Sequence, residues 1–352
     1  MIDLEKRNII GIIGHFGFGQ ELLNGQTVKT KIITKELEEQ LGADKVLKVD
    51  THGGKKTMLK LVFQIGKMAK NCKNIAMMPA HNGVRFFAPL LCFWKRVYPV
   101  KLHYIVIGGW LPEFIKNKKY LQKSLKKIDV IYVETGMMKK SLEEQGFKNI
   151  FVMPNCKELS ILTEEELVYS KITPLRLCTF SRVLKEKGIE DAIEAVQYIN
   201  KKYNKEIFSL DIYGQIDENY VERFEKIQKG FPSYIQYKGL VSYDKSVEVL
   251  KEYYALLFPT YYSGEGFAGT LIDALAAGLP VIASDWRYNS ELVEENKTGL
   301  LFQAGDVRSL IEKLEEVSEN PDICNKMKLQ CLKRAYEYLP SNAIKIFFKN
   351  ME

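Results

Sequence analysis

Short apolar runs of four to seven residues recur along this chain, separated by stretches in which apolar residues fall three and four apart. Residues 8–14 (NIIGIIG) predict a first buried strand, and runs at 45–49, 75–78, 103–107, 130–133 and 150–153 predict five more. A helix is expected to begin near Thr27, where Val28, Ile32, Ile33 and Leu37 share one face. After an acidic, Ser/Thr-containing connection over 154–174 the pattern restarts. Strands are predicted at 175–180, 208–213, 235–237, 255–258, 280–283 and 299–302, with helices at 189–200, 220–229, 245–251, 267–277 and 343–349. Strands alternating with helices twice over predict an α/β protein of two doubly wound domains, about 1–160 and 161–334.

Composition narrows the class without naming a chemistry. Of 352 residues, 46% are hydrophobic and 27% charged, as in ordinary globular proteins. The longest charge-free apolar stretches near the middle, 86–94 and 102–112, are too short to span a bilayer. The N-terminus lacks a signal-peptide pattern, which predicts a cytoplasmic protein. Six cysteines with no CxxC spacing read as reduced thiols. Charge is uneven: residues 51–127 hold 16 Lys/Arg and one acid, Glu113, interleaved with Phe86, Phe87, Phe93, Trp94, Tyr98, Trp110 and Phe114. That stretch suits an anionic membrane surface or a phosphorylated acceptor, and equally a solvated face over a normal core. No nucleic-acid-binding module is recognisable, so nucleic acid is not an expected partner.

The chemistry concentrates in the second domain. Arg182 and Lys187 lie between a strand and a helix, where cations suit a diphosphate leaving group. In 256–305 an apolar run ends at Pro259, a turn carries Glu265, and a helix-like segment follows with Phe267, Ala268, Gly269, Thr270 and Asp273. A carboxylate beside free backbone N–H groups at a helix start fits a ligand bearing hydroxyls and phosphates. Eight residues separate Glu265 from Asp273, on the order of 12 Å if both lie on one helix.

These residues resemble the donor-sugar motif of the retaining glycosyltransferases of family 4. That resemblance implies a GT-B fold, with two doubly wound, Rossmann-like domains facing across a cleft and the tail near 335–352 packing back on the first. It implies that Arg182 and Lys187 are the phosphate pair, that Glu265 with the backbone of Phe267, Ala268 and Gly269 holds the hexose, and that Thr270 adjoins it. Asp273 takes the ribose position, one methylene shorter than the usual Glu. In the first domain Gly17 and Gly19, in a glycine-rich loop, are candidate donor-phosphate contacts. The run Asn24-Gly25-Gln26-Thr27 resembles an element of a polysaccharide-assembly, capsule-like branch, which makes Gln26 an acceptor-side candidate. The family's usual His is replaced by Gly108-Gly109-Trp110, and its frequent Ser by Glu134, leaving either His81 or Glu134 to touch the acceptor.

The function implied is retaining transfer of a hexose-type sugar from a nucleotide-sugar donor, UDP-sugar favoured, to a glycan or lipid-linked glycan acceptor in cell-surface polysaccharide assembly. No metal and no other cofactor is expected, and peripheral contact with the inner face of the plasma membrane is. An epimerase-like GT-B enzyme and a catalytically silent sugar-nucleotide-binding partner are the alternatives.

Overall fold

The computed structural model describes residues 8–19, 25–52, 58–170 and 172–351. The first six strands are β1 (Asn8–Gly14), β2 (Val46–Asp50), β3 (Cys72–Met77), β4 (Lys101–Ile105), β5 (Val130–Val133) and β6 (Ile150–Val152). They form one sheet of order β2-β1-β3-β4-β5-β6, parallel throughout, with Ile10 opposite both Val46 and Asn74. The other six are β7 (Leu175–Phe180), β8 (Phe208–Tyr213), β9 (Ile235–Gly239), β10 (Ala255–Phe258), β11 (Val281–Ser284) and β12 (Gly299–Phe302). Their order is β12-β11-β10-β7-β8-β9, again all parallel. Every residue of β5, β10 and β11 is buried, which is why these strands read as unbroken apolar runs rather than alternating ones.

The chain divides into two compact units, Met1–Glu158 with Tyr338–Glu352, and Leu159–Glu337. In the first unit Ile10, Ile12, Ile33, Ile105 and Tyr132 form a core that also takes in Ala343, Ile344 and Phe347 from the C-terminal segment. His103 of β4 is fully buried beneath it, 3.1 Å from the Tyr132 hydroxyl and 3.0 Å from Asn74 Oδ1, with its ring 4.9 Å from that of Phe347. Burial, aided by Lys101, lowers the His103 pKa to about 4, so a neutral imidazole is what the hydroxyl and amide hold. The second unit has its own core, built on Leu177, Ile189, Val196, Leu210, Leu257 and Leu314.

Each sheet order reverses once. In the second sheet the chain starts at β7, builds outward through β8 and β9, then returns to β10 on the other side. The loops after β7 and β10 therefore leave neighbouring strands in opposite directions and open a crevice at their carboxyl ends. The first sheet reverses between β1 and β3.

One local expectation is corrected. The helix expected from 267 begins at Gly269, because Ala268 is extended (φ −69°, ψ 116°). Glu265 therefore lies in a loop, and the helical rise does not set its separation from Asp273. The apolar run 86–94 belongs to a 17-residue helix, His81–Val97, which includes Pro89. Among the described residues no helix is long and apolar enough to cross a membrane.

Glu134, directly after β5, is buried and receives a 2.5 Å hydrogen bond from Lys29 Nζ; both side chains are 3% exposed. Two charges taken out of water gain little over an apolar pair of equal volume, but either alone is costly. Glu134→Leu is therefore expected to lower stability by about 3–5 kcal/mol, while the double variant Lys29→Met/Glu134→Leu recovers most of the loss. Urea unfolding at pH 7 reads both; equal losses in the two variants would refute the coupling.

Candidate functional site

The loop after β7 is set by two glycines. Gly188 (φ 71°) precedes the helix Ile189–Lys202, and a Cβ there would lie 2.1 Å from the carbonyl oxygen of Pro259. Gly214, after β8, has φ 135°, and its Cβ would lie 1.8 Å from the carbonyl oxygen of Ser181. No side chain fits either place, so the backbones after β7, β8 and β10 close on one another. A 2.8 Å hydrogen bond from Tyr261 N to Glu186 O ties the first of these loops to the third.

That closure brings Lys187 to Glu265. Lys187 Nζ donates to Glu265 Oε2 at 2.5 Å, with side-chain exposures of 11% and 8%. The Thr260 hydroxyl donates to the same carboxylate oxygen at 2.8 Å. Thr260 is in turn positioned by Ser284, whose hydroxyl donates to the Thr260 carbonyl at 2.5 Å. Arg182 is half exposed, 3.5 Å from Asp217 Oδ2. Its guanidinium carbon lies 5.6 Å from the Tyr262 ring centre, and Lys187 Nζ lies 5.4 Å from that centre, so the two cations stand at most about 11 Å apart. Tyr262 is itself fixed by Trp286, whose indole N–H donates to the Tyr262 carbonyl at 2.8 Å. A cavity of about 380 Å³ adjoins Arg182, Lys185, Asp217, Tyr220 and Tyr262.

The turn then leads into the helix Gly269–Ala276. Phe267 is 8% exposed and Asp273 4%. A Cβ on Gly269 would meet no atom within 4 Å, so the start of this helix is approachable. Its first N–H groups, at Gly269 and Thr270, have no intrahelical acceptor by construction. The buried Thr270 hydroxyl has no hydrogen-bond partner, which is unusual for a buried polar atom. The combination of a cation pair, a held carboxylate and a helix start can bind a diphosphate and a polyol together.

Residue type and spacing mark Arg182, Lys187 and Glu265 in the sequence, but not Thr260, Tyr262, Asp217 or Ser284. Thr260 and Tyr262 come just before the turn that carries Glu265, but no spacing marks a Thr as a carboxylate partner.

The first unit deals differently with its candidates. The backbone N–H groups of Phe16 and Phe18, flanking Gly17, donate to the Asp50 carboxylate at 2.9 and 3.0 Å, and His52 N adds a third bond at 2.9 Å. An internal carboxylate thus occupies amides at 16–18 in the loop holding Gly17 and Gly19, where a ligand phosphate was expected. Burial alone would raise the Asp50 pKa, but these N–H groups outweigh it and lower the value. Gln26 donates through Nε2 to Met78 O at 3.1 Å; Asn24 lies outside the described residues. Glu134 is buried, with Oε1 paired to Lys29 Nζ. His81 is exposed, stacked 4.0 Å from Trp110. Among the described residues no group of three or more His, Cys, Asp or Glu is arranged to hold a metal ion.

Residues 170–336 match the family Glycosyl transferases group 1. The GtfA subunit of the UDP-N-acetylglucosamine–peptide N-acetylglucosaminyltransferase of Streptococcus gordonii is 30% identical over 181 residues, 50% of this chain and 34% of that one. The chain thus spans about a third of the length of that curated relative. Among solved structures, a glycosyltransferase from Rickettsia africae superposes with a TM-score of 0.74 at 16% identity, covering 98% of both chains. HepE of Anabaena, solved in complex with UDP, gives 0.72 at 12% identity over 97% of this chain and 99% of that one. The fold is GT-B.

Asp50→Asn replaces an acceptor-only carboxylate by an amide and is expected to lower stability by about 1 kcal/mol at pH 7. Because the folded-state pKa lies below the ordinary 3.8, this contribution is present above pH 3.8 and is lost as pH falls through the folded value. The gap between wild type and variant in urea midpoints should therefore close in acid; a gap that widens there would contradict the assignment.

Proposed function

We infer that this chain, whose residues 170–336 match the family Glycosyl transferases group 1, moves a hexose-type sugar from a nucleoside diphosphate donor to a hydroxyl of a glycan or lipid-linked glycan. The observation that carries this reading is the meeting of Arg182, Lys187 and Glu265 at the carboxyl edge of β7 and β10. A UDP-sugar is favoured as donor, in line with the name of the streptococcal relative and the UDP bound to HepE.

In this reading Glu265 accepts hydrogen bonds from sugar hydroxyls, with the N–H groups at Gly269 and Thr270 beside it. Lys187 turns from Glu265 toward the diphosphate, and Arg182 binds the phosphates from the exposed side. Asp273 takes the ribose hydroxyls. As the C1–O bond to the β-phosphate breaks, negative charge grows on the leaving oxygen, where fixed cations stabilise it most. The acceptor oxygen attacks C1 on the face the phosphate leaves, and its proton passes to a phosphate oxygen, so the anomeric configuration is retained. No dedicated base is required. Assembly of a cell-surface polysaccharide or glycoconjugate is the setting that fits.

Lys187→Met is expected to lower kcat/KM by about 100-fold, roughly 2.7 kcal/mol of transition-state stabilisation, and Arg182→Ala by at least about tenfold. Assays with a UDP-sugar, with and without a hydroxyl acceptor, read both effects, and NMR of the product's anomeric proton reads retention. Near-normal turnover in both variants would sink the assignment.

Peripheral membrane contact is part of the same reading. Leu59, Lys60, Phe63, Lys67 and Lys70 form the exposed face of the helix Met58–Asn71, Leu59 being 81% and Phe63 77% exposed. Apolar residues flanked by lysines suit the interface of an anionic bilayer. The protein should float with phosphatidylglycerol vesicles, less so at high salt, and Phe63→Ser should weaken flotation. Equal flotation with neutral and anionic vesicles would argue against it.

A further inference from the structure

The first sheet has its own reversal, between β1 and β3, and a cavity of about 780 Å³ opens beside it. Thr51 follows β2 and Pro79 follows β3, which puts the cavity at the carboxyl edge, where open α/β sheets take ligands. One wall is apolar: Leu61 comes from the helix Met58–Asn71, and Phe86 and Phe87 come from the helix His81–Val97.

Arg85 and His81 also line the cavity, and behind them both approach the ring of Phe114, as does Lys118. Phe114 has Lys118 Nζ at 4.2 Å from its ring centre, the Arg85 guanidinium carbon at 4.9 Å and the His81 ring at 5.0 Å. Lys118 also donates to the Phe114 carbonyl at 2.5 Å, which fixes its position. Among the described residues neither Arg85 nor Lys118 has a carboxylate within ion-pair distance. Two like charges gathered on one ring without a counter-charge are relieved by an anion, and a guanidinium beside an ammonium suits phosphate oxygens. Burial, then Arg85 and Lys118, lower the His81 pKa, so the imidazole is neutral near pH 7 and keeps one N–H to donate.

We propose that this cavity receives the diphosphate of a prenyl-linked acceptor sugar, with Arg85 and His81 on the phosphates, Lys118 reaching them from beside Phe114, and Leu61, Phe86 and Phe87 against the prenyl chain. The choice of a prenyl diphosphate over a polyol phosphate rests on that apolar wall. The proposal rests on the glycosyl-transfer reading above and supplies that reaction with its acceptor class. Upstream, it calls for a reaction that places a first sugar on a prenyl diphosphate.

Farnesyl diphosphate is the probe, titrated calorimetrically with UDP saturating, so that binding of its diphosphate at Arg182 and Lys187 is not counted. The wild type should bind it, with farnesol and inorganic diphosphate each at least tenfold weaker. Arg85→Gln and Lys118→Gln should each weaken binding at least tenfold with melting temperatures unchanged, and Arg85→Lys should recover part of the loss. Farnesol binding as tightly as farnesyl diphosphate would overturn the phosphate contact, and inorganic diphosphate doing so would overturn the prenyl wall. Affinity unchanged in both variants, or no binding by the wild type, would overturn the site as a whole. Hydrolysis of a UDP-sugar by the wild type without acceptor separates the two readings. Hydrolysis without farnesyl diphosphate binding removes only the acceptor proposal; binding without any sugar turnover removes glycosyl transfer instead.

Discussion

The second unit is organised around one nearly buried ion pair. Lys187 and Glu265 are 78 residues apart in sequence, and each is almost wholly removed from water. Alone, either charge would be expensive there; together, with Thr260 as a second donor to the carboxylate, they are tolerated. The pairing demands that the ends of β7 and β10 lie side by side, which the sheet order provides. It also demands that the two backbones touch, which Gly188 allows. A pair of this kind is a poor source of stability but a good store of oriented charge. A ligand with hydroxyls and phosphates exchanges one set of charge-assisted hydrogen bonds for another.

The two units treat negative charge in opposite ways. In the second, cationic side chains stand over the Tyr262 ring, and the helix beginning at Gly269 presents N–H groups. In the first, the amides of the glycine-rich loop are already taken by Asp50, so positive character is supplied by Arg85 and Lys118 around Phe114. A glycine-rich loop after a first strand is therefore no guarantee of a phosphate site. What matters is whether the chain carries its own carboxylate close enough to fill it.

Much of the fold was legible because parallel strands buried on both faces leave an uninterrupted apolar signature. β1, β5, β10 and β12 fall where such runs predicted them, β7 and β8 where apolar residues alternate with partly exposed ones, and the others within a few residues. The start of the helix at Gly269 was not legible, since the extended conformation of Ala268 follows from the packing of the preceding turn. Pro89 interrupts the sequence pattern of the helix His81–Val97, although Val84, Phe87, Ala88 and Leu91 form one buried face at helical spacing. Side-chain partnerships across long separations left no trace at all. Nothing near Glu134 announces Lys29, 105 residues away, and nothing near residues 16–18 announces Asp50. Arg182, Lys187 and Glu265 were readable because their residue types and spacing are constrained by the ligand chemistry itself.

The route of the chain through its two cores orders its biosynthesis. Ala343, Ile344 and Phe347 complete the core that begins with Ile10, yet Leu159–Glu337 must be translated before they emerge. During that interval the nascent N-terminal half carries an unsealed apolar surface over β4 and β5, while the later half already has all its strands. The half made first is therefore the last to become fully native, and its exposure to chaperones is set by the length of the half made second.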